Sequence, residues 1–337
     1  NPPPTNRTPE LFPAAHGEAR NHRETAVTML IILAGAFAQL VDGGIGMGFG
    51  VTSTTILLLS MGPAQASAVV HAAEVGTTLA SGLSHWRFGN VNWRVVLTLG
   101  VPGAIGAATG ATLLSHIATD SAKPLTAIIL ALVGVNLLWR FSRGVIARHN
   151  TPKPYRTPFL IFLGIFGGII DATGGGGWGP ITTSTLMSLG KEEPRRVVGT
   201  VNTAEFLVAS AATMGFTLGL WQELQTNAVA VLCLLLGGVL TAPLSAWLIH
   251  HINPIILGGF VGTALISLNI PHSWPYAVVA GVILTWRGVR RSRKAHVVVS
   301  TEVPCDESDD FPAAGASTST QTRAMLGAVN GISSGVK

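Results

Sequence analysis

The sequence predicts an all-α integral membrane protein: an inverted repeat of two five-pass units with broken or hairpin helices, plus one extra C-terminal span. Three observations predict it. The chain is 48% hydrophobic and only 11% charged, where a soluble domain carries about 25% charged residues. Its charges collect in the tails and in short loops, leaving uncharged runs of membrane-spanning length. A glycine-rich interruption of apolar sequence occurs twice, as DGGIGMGFGVTSTT over Asp42–Thr55 and DATGGGGWGPITTS over Asp171–Ser184. Threading the apolar runs alternately through a bilayer then gathers lysine and arginine on one side, as cytoplasmic loops require.

The N-terminal tail, 1–25, is polar and proline-rich and lacks the apolar core of a signal peptide. The first repeat, 26–141, opens on the apolar run 26–41. At 1.5 Å per residue this run reaches roughly 24 Å, short of the ~30 Å hydrocarbon core. The first glycine break follows, then a second short run over 51–61, ended by Gly62-Pro63. Spans are expected over 65–86, 93–115 and 122–140. A basic loop, 142–157, separates the halves. The second repeat, 158–270, has the same order: a short run over 158–170, the second break, a short run over 180–189, and spans over 195–219, 225–249 and 253–269.

Matched residues fix the register. Asp42 and Asp171, Gly48 and Gly177, and Gly50 and Gly179 lie 129 apart. Pro63 and Pro194, Val70 and Val201, Ala73 and Ala204, and Glu74 and Glu205 lie 131 apart. Small loop insertions account for the drift. The segment 271–294 carries an unmatched short span, 275–288, with a basic end. The tail 295–337 is rich in Ser, Thr, Ala and Gly and reads as disordered.

Five passes per repeat is an odd number, so the copies must be inverted. With the Arg140–Arg156 loop in the cytoplasm, the Arg87/Arg94 loop, the Lys191–Arg196 loop and Arg287–Lys294 also fall inside. Fifteen of the 21 Lys and Arg lie in these four segments. The C-terminus is then cytoplasmic and the chain is a multi-pass protein of the plasma membrane. The net charge of +5 reflects orientation and is no nucleic-acid signal. Cys233 lies in an apolar span and Cys305 in the polar tail; neither has metal-ligand neighbours, and no disulfide is expected.

Irregular backbone survives at membrane depth only where it is buried in protein or lines a wet cavity. Two such breaks in an inverted repeat point to a transport site near the midplane. Gly48, Gly50, Gly177 and Gly179 allow close backbone approach. The run after each break starts with unpaired N–H groups at the positive end of a helix dipole, so two such ends facing one another bind an anion without a buried arginine. Thr52, Ser53, Thr54, Thr182 and Thr183 add hydroxyl donors. Asp42 and Asp171 precede the glycines, where they cap or brace the breaks.

Glu74 and Glu205 lie at membrane depth, where ionisable groups mark function, and are read as proton carriers. His71 and Asn202 stand three residues earlier on the same helix faces as supporting polar groups. Competing readings are close helix packing for the glycines and structural hydrogen bonds for the carboxylates. A divalent cation or metal permease using Asp42, Glu74, Asp171 and Glu205 as oxygen ligands is the alternative function. The sequence offers no nucleophile–base pair and no His/Cys metal spacing, so no enzyme, resident metal or cofactor is expected.

The paired breaks, together with AVVHAAEVGT and RRVVGTVNTAEF after them, resemble the TauE/SafE sulfite exporter family of membrane permeases over roughly residues 26–270. The resemblance implies proton-linked transport of small sulfur-containing or organic anions, such as sulfite, sulfonates or sulfoacetate. The expected partners are that anion, protons and the lipid bilayer. The unmatched last span and the long tail depart from a minimal two-repeat pattern.

Overall fold

The computed structural model describes residues 13–45, 47–144, 154–189, 191–249 and 253–294. The expectations for 1–12, for most of the basic loop and for the tail 295–337 lie outside these residues. Among the described residues there is no strand. The first half contains α1 (Pro13–Ile45), α2 (Phe49–Leu57), α3 (Pro63–Arg87), α4 (Trp93–His116) and α5 (Thr119–Ser142). The second contains α6 (Thr157–Gly174), a π-helical turn (Gly179–Thr183) running into α7 (Ser184–Leu189), α8 (Pro194–Thr226), α9 (Ala228–Ile249) and α10 (Pro254–Asn269); α11 (Trp274–Lys294) closes the series.

Local chemistry sets these limits. Proline occupies the first turn of α3, α6, α8 and α10, where its missing N–H costs nothing. The side chains of Asn92 and Asn253 accept from Val95 N–H and Ile255 N–H and cap α4 and α10. Two boundaries differ from the sequence reading. α1 begins at Pro13, inside the polar tail, because Ala14, Ala15, Glu18, Ala19 and Arg20 are good helix formers whatever their polarity. α8 continues to Thr226, with Leu220 off the helical path at φ −130° and ψ 32°, beside the expected stop at 219.

α4, α5, α6 and the Arg196–Thr226 portion of α8 are long and apolar enough to cross a membrane; shorter apolar stretches are Val27–Asp42, Ala228–Thr241 and Ile255–Asn269. Leu132, Phe162, Leu218, Leu240 and Phe260 are exposed on the outer faces, as lipid contact requires. Trp139 lies beneath Arg143 at 4.4 Å and Trp286 beneath Arg290 at 3.6 Å, an arrangement of the aromatic–basic kind found at membrane interfaces.

Two helix pairings are reciprocal between the halves. α4 packs on α6 and α1 packs on α9, so the first helix of each half lies against the fourth of the other. α3 packs on α8, α5 on α10, and α11 on α10 and α5. Glycines permit both cross-half contacts. A Cβ at Gly164 would stand 2.3 Å from Leu99 O and one at Gly106 2.3 Å from Ile165 O. In the other pair, Gly35 would meet Leu234 O at 2.5 Å and Gly237 would meet Ile32 O at 2.2 Å. Gly35 and Gly164 are 129 apart and Gly106 and Gly237 are 131 apart, the registers of the breaks themselves. Small residues drive such contacts in membranes, where lipid and side chains are equally apolar.

Candidate functional site

Each break is spanned by its own aspartate. In the first, the Asp42 carboxylate accepts from the N–H groups of Gly48 and Phe49, just after α1 ends. In the second, α6 stops because Gly175 turns left-handed (φ 69°, ψ 32°), a conformation that favours glycine. Asp171 then holds both sides of the gap: its carbonyl accepts from Gly176 N–H at 2.9 Å and its Oδ1 from Trp178 N–H at 2.9 Å. Phe49 and Trp178 occupy matched positions, and both are buried. A carboxylate at the start of the next helical segment satisfies donors that would otherwise be orphaned and meets the positive end of the dipole. These bonds, with Thr52 N–H to Gly48 O and Ile181 N–H to Gly177 O, occupy donors that the sequence reading left for a substrate. Pro180 contributes none.

The two breaks touch. A Cβ on Gly176 would stand 2.2 Å from Val51 N and 2.4 Å from Gly50 C, and one on Gly179 would stand 2.8 Å from Met47 Cβ. The Thr54 hydroxyl donates to Gly175 O across the contact. Gly50 and Gly179, read from the sequence as substrate-binding glycines, lie in this contact between the breaks. Gly177 has more room: its Cβ would meet Ile170 Cγ2 at 3.3 Å. Gly175 and Gly176 were missed, although the run of four glycines at 174–177 was their signal.

The predicted hydroxyls divide into two sets. Thr54 is bonded to Gly175, and Thr182 donates to Trp178 O at 2.5 Å. Thr52, Ser53 and Thr183, 7%, 0% and 0% exposed, have hydroxyls without a protein partner. So has Glu74 Oε2, on a side chain 3% exposed. Its Oε1 faces Gly50, 2.6 Å from where a Cβ would stand. Glu74 feels the charges of Asp171, Glu205 and Asp42, and half-buried Glu205 feels Asp171 and Asp42. Carboxylates from both halves thus converge on one region.

His71 and Asn202, matched in sequence, make different contacts. His71 Nε2 lies 3.0 Å from Asp171 Oδ2, a fully buried link between the halves. Its Nδ1 lies 2.8 Å from Ser67 O, and the Ser67 hydroxyl donates to Ala172 O at 2.7 Å. With the Ser67 proton engaged there, Nδ1 must be the donor to Ser67 O. The Nε2–Asp171 bond then needs a second proton, on the ring or on the carboxyl, and either placement makes the pair net neutral. Asn202 Nδ2 instead donates to Ser81 Oγ at 3.1 Å.

One basic side chain corrects the expectation that none lies near the breaks. The sequence reading puts Arg140 at the end of the 122–140 span and counts it with the cytoplasmic Arg140–Arg156 segment; it lies in the last turn of α5. Its Nη1 lies 3.3 Å from Met47 Sδ and its Nη2 3.1 Å from Met187 Sδ. Side chains on a helix lean toward its N-terminus, so a long one in the last turn reaches back toward the bilayer interior. Among the described residues, no three His, Cys, Asp or Glu side chains gather at metal-binding spacing.

An all-helical bundle with lipid-facing outer surfaces and two buried, braced helix breaks is the build of a polytopic membrane transporter. The description "Sulfite exporter TauE/SafE" matches residues 31–271, and the chain belongs to that family. It is 44% identical over 248 residues, 71% of this chain and 81% of the relative, to the Bacillus subtilis (strain 168) "Probable membrane transporter protein YtnM". It is 30% identical over 191 residues, 56% of this chain and 78% of the relative, to "Probable membrane transporter protein YdhB" of the same organism. No solved structure matches the chain.

Proposed function

We propose that the protein is a proton-coupled secondary transporter, exporter or permease, of small sulfur-containing or organic anions such as sulfite or sulfonates, held between the two glycine breaks. The observation that carries this is that, among the described residues, four of the six buried side chains with a polar atom lacking a protein partner, Thr52, Ser53, Thr183 and Glu74, lie on and beside the segments that touch. Buried polar groups are otherwise almost always paired, so these point to a hydrogen-bonding ligand. The two halves are inverted copies in the plasma membrane with the C-terminus inside, and the breaks part to admit the anion. The reciprocal packing of α1 on α9 and α4 on α6 supports that symmetry.

Coupling follows from electrostatics. An anion about 5 Å from an ionised carboxylate is opposed by roughly 3 kcal/mol at an effective dielectric of 20. Protonation of Glu74 and Glu205 and binding of the anion therefore favour one another. The convergence of carboxylates is also what a cation permease would need, but a hard cation favours several carboxylate ligands together, and no group of three or more His, Cys, Asp or Glu suited to holding a metal ion occurs among the described residues. Uptake into proteoliposomes of sulfite, sulfoacetate, thiosulfate and divalent cations, with and without a proton gradient, tests the reading. Gradient-driven uptake of an anion is expected; uptake of divalent cations alone would replace it with the cation reading.

A further inference from the structure

We propose that Arg140 is an anion-binding residue: the base of a subsite for a small oxyanion, sulfonate or sulfite in kind, between the two broken segments. A guanidinium presents five N–H donors in a planar fork suited to two oxygens of one anion. Here the fork is aimed at two thioether sulfurs, the weakest acceptors among side chains. Met47 belongs to the first break and Met187 to the helix after the second, so Arg140 bridges the two at 3.3 and 3.1 Å. Arg140 forms no ion pair among the described residues; apart from the two sulfurs, its charge meets only the Phe141 ring, 5.7 Å from the centroid. It is also absent from the charges acting on Glu74 and Glu205. A fixed positive charge turned inward without a counter-ion is costly to retain, and an anion arriving from outside the protein is the partner that would complete it.

The bland alternative is an arginine that reaches for lipid headgroups. Arg143, one turn on, has that geometry, lying over the exposed ring of Trp139 at 4.4 Å. Arg140 is half-buried and turned the other way. Asn136, four residues earlier on the same face, donates to Pro180 O at 3.2 Å and ties this face of α5 to the second break. Met side chains are flexible and move aside at little cost, so the fork is accessible to an anion that enters between them.

The inference rests on the anion reading above, and the experiment separates the two. Binding of methanesulfonate and of its neutral isostere dimethyl sulfone is measured calorimetrically on the purified full chain in detergent. Unaltered protein should prefer methanesulfonate. Arg140→Lys keeps the charge and loses the fork, and should weaken methanesulfonate binding about tenfold, or ~1.4 kcal/mol. Arg140→Gln should abolish the preference for the anion over the sulfone, which a merely structural role would not do. If Arg140→Gln fails to fold, the Lys variant decides. Unchanged affinity in Arg140→Lys, or no methanesulfonate binding by unaltered protein, would overturn the subsite. Absence of transport with Arg140-dependent binding intact removes the transport reading alone. Transport at unchanged KM in Arg140→Gln removes the subsite alone.

Discussion

The contact between the breaks is the feature most open to direct test, and Gly176→Ala probes it. The new Cβ would fall 2.2 Å from Val51 N and 2.4 Å from Gly50 C, both backbone atoms that no rotamer change can move, at a residue with φ 139°. Overpacking of this kind costs about 1–3 kcal/mol, and a side chain at such a dihedral about 1–3 kcal/mol more. Gly89→Ala is the control: φ is 71°, but nothing lies within 4 Å of the added Cβ, so it bears only the backbone term of about 1–2 kcal/mol. Gly177→Ala falls between, its nearest neighbour being the Ile170 side chain at 3.3 Å. Chemical unfolding in detergent, followed by tryptophan fluorescence, should rank Gly176→Ala as the least stable, by about 1–3 kcal/mol over Gly89→Ala. Equal losses for the two would refute the packing of one break against the other.

Thr183→Ala removes a buried hydroxyl with no protein partner and should leave stability unchanged, while anion affinity, read by calorimetry, falls by about 0.5–1.5 kcal/mol or roughly two- to twelve-fold. Thr182→Ala, which loses its bond to Trp178 O, should do the reverse. Glu74→Gln and Glu205→Gln keep shape and remove ionisation, so gradient-driven uptake in proteoliposomes should lose its pH dependence; unchanged pH dependence in both makes them structural. His71→Ala and Asp171→Ala should each cost about 3–5 kcal/mol, since each leaves a buried partner alone, and the double variant should cost less than their sum in an unfolding cycle. A single cysteine at Glu192, in a chain lacking Cys233 and Cys305, should resist an impermeant thiol reagent on intact cells; labelling from outside would sink the inverted topology.

What the sequence determined by itself was the class, the helical segments and the position of the breaks. Apolar run length is set by bilayer thickness and helix rise, both local quantities, so the starts expected at 65, 93, 158, 195 and 253 fall within two residues of the helix starts at 63, 93, 157, 194 and 254. The break stood out because a duplicated glycine cluster in apolar sequence has no local helical reason to exist. Even the register of the cross-half glycines, Gly35 with Gly164 and Gly106 with Gly237, was present in the sequence, though unread, because small residues carry no periodicity of their own.

Partnerships were decided only by tertiary structure. His71 and Asn202 are equivalent by position, yet only His71 meets an aspartate of the other half. Ser53 and Thr54 are adjacent, yet only Thr54 has a partner, Gly175 O of the other half. Arg140 reads as a cation at the cytoplasmic end of a span until the lean of a helical side chain carries its guanidinium back to Met47 and Met187. In each case residue type fixes what a group can bond to. Which atoms come within hydrogen-bonding reach depends on how segments more than 40 residues apart in sequence pack together.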